Sequence, residues 1–286
     1  MVLWIAFDMD STLGYFESVS NYLYCFAPWV MNEIYTKPHY NGVDIPIVDL
    51  PDELNPVLKA AFFEFVRLIA EKEANTRLLR PGILAVISHL LEAKRKGLVG
   101  GLMIYSNNAS KLTILFCQEL IKHLLGEKED IFVPTLCWLS PIRKRELDGR
   151  SMCEGPKTVN TIKQSFKTVY PNAVIKNNGV IFFDDLIHQD IKNNIPKDNY
   201  FHVKPYIRFC DTKVVHSAFM QSCISQSLPG NKVYIKTLKQ IGFDFDTEDI
   251  GFSSMKSVQP TGVNRITYDS EIILRRLKKL VNVDLL

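Results

Sequence analysis

The sequence predicts an α/β fold, a parallel sheet with helices on both faces, on three observations. Short apolar runs recur, each too unbroken for a strand with one wet face: Val2–Phe7, Gly101–Tyr105 and Val180–Phe183. Strands covered on both faces, as in parallel sheets, read this way. Segments with helical apolar spacing lie between the runs, the alternation that builds a parallel sheet. Each run also ends abruptly in polar residues: Asp8-Met9-Asp10, Ser106-Asn107 and Asp184-Asp185. Right-handed crossovers bring such strand ends to one sheet edge, where open α/β sheets bind ligands.

Each element follows from its residues. Val2–Phe7 is the first strand, followed by the turn-forming Asp10-Ser11-Thr12. Alone, this stretch reads equally well as a plain turn. Residues 15–78 form a helical insertion. Val19–Glu33 is one helix, and Asn55-Pro56 starts another that carries Leu58, Phe62, Phe65 and Ile69 inward. Pro38, Gly42, Pro46 and Pro51 mark the loop between them. Pro81 opens a helix with Ile83, Val86, Ile87, Leu90 and Leu91 on its apolar face and Gly97 at its cap. Gly101–Tyr105 is the second strand. Ser110 caps a helix that closes near Gly126. Ile131–Leu139 is a third apolar run broken by Pro134, and Arg143–Arg150 is a charged turn. Gly155-Pro156-Lys157 starts a helix with Val159, Ile162 and Phe166 inward, which puts Lys157 in its first turn. Val180–Phe183 is the fourth strand and Tyr200–Val203 the fifth. Beyond about residue 205, Val214–Ser227 and Asp269–Val281 read as helices, and Asn231–Ser253 as a short strand and turns.

Composition narrows the class. The 286 residues suffice for one large domain or two modest ones, and 47% hydrophobic with 23% charged residues is ordinary for a globular protein. A net charge of +3 argues against a nucleic-acid or membrane-surface partner. Arg275, Arg276, Lys278 and Lys279 line one side of the last helix, a face most often simply solvated. Six cysteines without a CxxC pair fit reduced, buried thiols better than disulfides or zinc. No apolar run spans a bilayer and no charged leader precedes the first strand, so the expectation is a soluble, intracellular, cytoplasmic protein.

The polar strand ends share one chemistry. Burying Asp8 and Asp10 is costly unless a cation or a reaction uses them. Phosphoryl transfer fits the whole set. A carboxylate nucleophile and a phosphate ester repel each other, and a divalent cation cancels that repulsion. Oxygen ligands point to Mg²⁺. Asp8 is the candidate nucleophile, and Asp10 the acid and base two residues on. Lys157 offsets charge on the phosphoryl group, with the helix N-terminus beneath it adding to the field. Ser106 and Asn107 offer donors to phosphoryl oxygens. Asp184 and Asp185 complete the metal shell with Asp8 and Asp10, and Asp190 orients that shell from outside.

The four segments FDMDSTL, IYSN, the Lys of GPKT, and FFDD resemble the four motifs of the haloacid dehalogenase superfamily. The resemblance covers residues 1–14 and 79–204. It implies a Rossmann-like catalytic core, a Mg²⁺ cofactor and, given the second aspartate, a phosphatase. By position it implies Asp8 as nucleophile, Asp10 as general acid/base, Thr12 as loop support, Ser106 as phosphate binder, Lys157 as the motif lysine, and Asp184 and Asp185 for the metal. The DMDST form, Glu17 and a helical insertion are similar to phosphoserine phosphatases, although those usually carry Ser-Gly and Gly-Asp-Gly where this chain has Ser-Asn and Asp-Asp. The latter pair is more like protein-phosphatase and nucleotidase branches.

The expected substrate is therefore a phosphorylated small molecule, such as phosphoserine or a nucleotide, or a Ser/Thr phosphoprotein. Residues 15–78 would form a cap, with Glu17 reaching the substrate. Residues 205–286 would form an extension of unknown role, open to a protein partner. Two alternatives stand beside the phosphatase: a catalytically idle binding module and a phosphotransferase.

Overall fold

A computed structural model describes residues 1–23, 26, 39–40, 43–44, 54–108, 110–138, 140–143, 156–208, 210–226 and 263–281. The α/β reading holds: five parallel strands form one sheet, with helices between them. The strands are β1 (Leu3–Phe7), β2 (Val99–Tyr105), β3 (Phe132–Leu136), β4 (Val180–Asp184) and β5 (Tyr200–His202), in the order β3-β2-β1-β4-β5. The most apolar run, β1, takes the centre and is buried along its whole length. Pro134 falls in β3, an edge strand, where its missing donor costs least.

Register decides what the sheet can present. Phe7 pairs with Ile104 on one side and with Phe183 on the other. The residues that follow, Asp8, Tyr105-Ser106 and Asp184, thus emerge level at the C-terminal edge. The strand order reverses between β1 and β4, the kind of switch point at which such sheets hold ligands. Stacked rings stiffen this centre, with Phe7 on Phe183 at 4.5 Å and Phe183 on Phe201 at 4.4 Å between centroids.

The chain divides into two compact units. The first comprises Met1–Phe16, Arg77–Arg208 and Thr261–Leu286; the second comprises Glu17–Thr76 and Phe209–Pro260. The stretch after residue 205, expected as one extension, is thus shared between them.

In the first unit, α3 (Ile83–Arg95) and α4 (Lys111–Leu125) join the strands as expected. Ser110 caps α4 by accepting from the Thr113 N–H at 3.1 Å, and Gly126 ends it in the left-handed conformation. The next helix, α5 (Val159–Val169), begins later than the sequence implies. Thr158 is extended and accepts from the Thr161 N–H, so it is the cap, and Lys157 lies outside the helix rather than in its first turn. A short helix, α6 (Gln189–Asn194), follows β4. The last helix, α8 (Val263–Val281), packs on α3 through Ile273, Leu277 and Val281, all buried. Of its basic residues, Arg275 is exposed, whereas Arg276 lies 4.2 Å over the Phe201 ring and donates to Asp198 O.

In the second unit, α1 (Glu17–Leu23), α2 (Leu54–Glu71) and α7 (Thr212–Ser225) surround an aromatic cluster. Phe219 of α7 sits 5.2 Å from Tyr22, 5.7 Å from Phe26 and 5.9 Å from Phe65. A two-residue antiparallel ladder, His39–Tyr40 with Val43–Asp44, lies in the segment read as loop. The expectations for residues 144–150 and 231–253, and for Cys25 and Cys153, fall outside the described residues.

Candidate active site

The site is built at the edge that register defines. The backbone N–H of Asp8 donates to Phe183 O at 2.8 Å, tying the end of β1 to the end of β4. The chain then turns sharply. Ser11 takes a positive φ of 59°, and its N–H donates to Gly14 O at 2.7 Å. Gly14 is required there, because a Cβ would lie 2.4 Å from Leu78 O. Arg80, 1% exposed, clamps the turn: its Nε donates to Thr12 O at 2.7 Å and its Nη2 to Ser11 O at 2.6 Å.

Lys157 and three aspartates converge across this edge. Lys157 Nζ donates to Asp8 Oδ1 at 2.5 Å and to Asp184 Oδ2 at 2.7 Å. Carboxylate oxygens of Asp8, Asp184 and Asp185 all lie within 4.8 Å of one another. Thr12 Oγ1 donates to Asp185 Oδ1 at 3.4 Å, and Asp184 Oδ1 accepts from the Leu186 N–H at 2.7 Å. Asp8, Lys157 and Asp184 are buried, while Asp185 is half-buried.

One ammonium cannot neutralise three clustered acids, and the titration behaviour reflects this. Burial pushes Asp8 well above the usual carboxylate range, Asp184 and Asp10 add to it, and Lys157 only partly opposes it. At Asp184 burial also pushes upward, but Lys157 and His188 outweigh it and hold the group below its ordinary value. Asp185 is raised by burial and by the charge of Asp184. Lys157 is held protonated: burial works against its charge, and Asp8 and Asp184 overcome it. With all three acids ionised the site would hold more negative charge than its own lysine balances, and a bound cation would relieve that. An all-carboxylate donor set of this size fits a hard divalent cation such as Mg²⁺.

The other sequence-derived residues divide. Asp10 is near but differently engaged: its Oδ2 accepts from Asn108 Nδ2 at 3.0 Å, and its side chain is not one of the three converging acids. Ser106 is buried beside them, its Oγ accepting from the Asn108 N–H at 3.0 Å. Asn107 Oδ1 accepts from Arg143 Nη2 at 2.7 Å. Asp190, expected to orient the acids from outside, contacts the start of α5 instead. Its Oδ1 accepts from the Val159 N–H at 2.9 Å, so it holds the start of α5. Glu17 is the first residue of α1, in the second unit, where the helix dipole favours an acid.

Four residues had no assigned role from the sequence. Arg80 grips the Asp8–Thr12 turn, and Asn108 holds Asp10. Arg143, at the start of the expected charged turn, is fully buried. It donates to Tyr105 Oη at 2.9 Å, Pro156 O at 2.5 Å and Asn107, with its guanidinium 5.0 Å over the Tyr105 ring. It thereby joins the end of β2 to the segment that carries Lys157. The fourth is His188, four residues after Asp184, whose Nε2 lies 3.2 Å from Asp184 Oδ2. The only written signal for these was a charged residue hard against apolar ones, as in Leu78-Leu79-Arg80-Pro81.

Compared with known proteins, the chain matches no family model, and no curated protein or solved structure shows significant similarity to it. Among the described residues, no helix is long and apolar enough to cross a membrane. The described cysteines, Cys117, Cys137, Cys210 and Cys223, are free and buried.

Proposed function

We propose that this protein is a Mg²⁺-dependent phosphatase that hydrolyses phosphate monoesters through an aspartyl-phosphate on Asp8. The observation that carries the reading is the bridge of Lys157 between Asp8 and Asp184, with Asp185 completing a compact acidic trio at the switch point of a parallel sheet. This is the arrangement that the motif resemblance to haloacid dehalogenase phosphatases leads one to expect. Asp8, Asp184 and Asp185 would hold the ion, which when bound supplies positive charge against the phosphate and its nucleophile.

The chain's own residues then account for each step. An Asp8 oxygen attacks phosphorus, forming an O–P bond as the bond to the leaving oxygen breaks. Asp10, held by Asn108, gives that oxygen its proton. In the second step Asp10 takes a proton from water as the water oxygen attacks phosphorus. Phosphate leaves and Asp8 is restored. Lys157 stays protonated throughout and offsets charge on Asp8 and the phosphoryl group. Ser106 accepts from the Asn108 N–H, which leaves its own O–H to donate to a phosphoryl oxygen.

The substrate is a phosphorylated metabolite, a nucleotide or a Ser/Thr phosphoprotein. A panel of phosphorylated metabolites, nucleotides and phosphopeptides decides among them, run with Mg²⁺, with chelator, and with Asp8→Asn as control. Release of phosphate by the wild type alone, lost with chelator and restored by Mg²⁺, supports the reading. Chelator-resistant release, or release by Asp8→Asn, overturns it.

A further inference from the structure

We infer that His188 is a positioning residue that locks Asp184 and Lys157 into one unit, fixing the carboxylate that shares the cation with Asp8; the inference rests on the phosphatase reading above. His188 is 8% exposed and is engaged on several sides. Its Nδ1 accepts from the Lys157 backbone N–H at 3.2 Å. A nitrogen that accepts carries no proton, so the ring's single N–H is on Nε2. Nε2 faces Asp184 Oδ2 at 3.2 Å, bent rather than in line, so the contact is chiefly electrostatic.

The backbone that carries the ring is held as well. The His188 backbone N–H donates to Tyr200 Oη at 3.0 Å, and Tyr200 Oη donates to Leu186 O at 3.0 Å. Its edge meets the Phe182 ring with centroids 6.1 Å apart. One imidazole thus reads the backbone position of Lys157 with one nitrogen and the carboxylate of Asp184 with the other. Two segments 27 residues apart in sequence are referenced to each other. Asp184 Oδ2 accordingly meets Lys157 Nζ and His188 Nε2 together, while Oδ1 is fixed by the Leu186 N–H. A ligand carboxylate oriented in this way costs little reorganisation when it takes up an ion, and supporting partners of this sort are worth about 10–100-fold in metal affinity or rate.

The two nitrogens make separable predictions. In the full chain, Mn²⁺ serves as probe, with free ion read by electron paramagnetic resonance. Turnover of p-nitrophenyl phosphate with Mg²⁺ is followed in parallel. His188→Leu removes both contacts and should lose about 10–100-fold in Mn²⁺ affinity and in kcat, with KM for the ester changed about twofold or less. His188→Gln keeps a donor near the Nε2 position and should recover most of the ion affinity. His188→Asn keeps an acceptor toward Lys157 only and should bind Mn²⁺ as poorly as the leucine variant. If His188→Leu does not fold, the glutamine and asparagine variants decide, and equal Mn²⁺ affinities in those two overturn the inference. A folded leucine variant with wild-type affinity and kcat also overturns it. Mn²⁺ binding that depends on His188 in a protein that hydrolyses no ester leaves the inference standing and sinks the phosphatase. Wild-type turnover matched by all three variants does the reverse, and a wild type that binds no Mn²⁺ sinks both.

Discussion

The two compact units bury opposite kinds of side chain beside their apolar cores. In the second, rings do the work: Tyr22, Phe26, Phe62, Phe65 and Phe219 are all buried against one another. In the first, an apolar sheet of similar quality ends in a knot of buried charge. Among the described residues every buried acid, base or imidazole belongs to this unit: Asp8, Arg80, Glu119, Arg143, Lys157, Asp184 and His188. Buried charge is costly even when paired, and it lowers stability relative to apolar packing. Asp8, Lys157 and Asp184 gather where the strand order reverses. Under the proposed phosphatase reading, that cost would be offset by binding and chemistry rather than by stability.

The largest expected effect is on the reaction. Asp8→Asn should lower kcat by about 10³-fold or more while the far-ultraviolet circular dichroism stays unchanged. Next come two stability losses of similar size and different kind. Phe219→Ala should cost about 3–5 kcal/mol by opening a cavity in the aromatic cluster. Lys157→Met should cost about 3–5 kcal/mol by leaving Asp8 and Asp184 facing each other without their cation. Thermal melts with and without Mg²⁺ separate them: the ion should restore part of the loss in Lys157→Met and none in Phe219→Ala. Equal rescue of both would erase the contrast between the units.

Smaller effects sharpen the contrast. Asn108→Ala removes one hydrogen bond to Asp10 and should lower kcat about 10-fold, roughly 1.4 kcal/mol in barrier. The smallest effect concerns pH. Asp8 titrates higher in the folded state than in the unfolded chain, so the native state binds more protons between the two values. Stability of the cation-free protein therefore falls as pH rises through that window. Asp184, held low, acts in the opposite sense: its contribution is present above the unfolded value and is lost as pH falls through the folded one. Asp8→Asn removes the first effect, so the cation-free variant should melt above wild type at neutral pH. A lower melting temperature would mean that Asp8 is stabilising where it stands.

The sheet was legible because its strands are short, apolar and end in polar residues; β1 falls inside the apolar run Val2–Phe7. The candidate site was legible where acids follow an apolar run, as for Asp8, Asp184 and Asp185, and where Lys157 stands just ahead of a helix. It was illegible where a side chain acts across the fold. Nothing local in the sequence says that Arg143 turns inward to Asn107, or that His188, four residues after Asp184, also reaches the Lys157 backbone, because these contacts depend on the tertiary fold. Gly-Pro-Lys looks like a helix start, but Thr158, a better cap, delays the first helical residue to Val159. The share of residues after 205 that joins α1 and α2 was hidden too, since Phe219 finds its aromatic partners only through the tertiary fold.

The central claim is that Asp8 is phosphorylated during turnover. Quenching the reaction with borohydride reduces an acyl-phosphate and converts its aspartate to homoserine, which peptide mass spectrometry locates. The account predicts homoserine at position 8, formed only when a hydrolysable phosphate ester and Mg²⁺ are both present. Steady turnover that leaves Asp8 unmodified, or marks another residue, would contradict it.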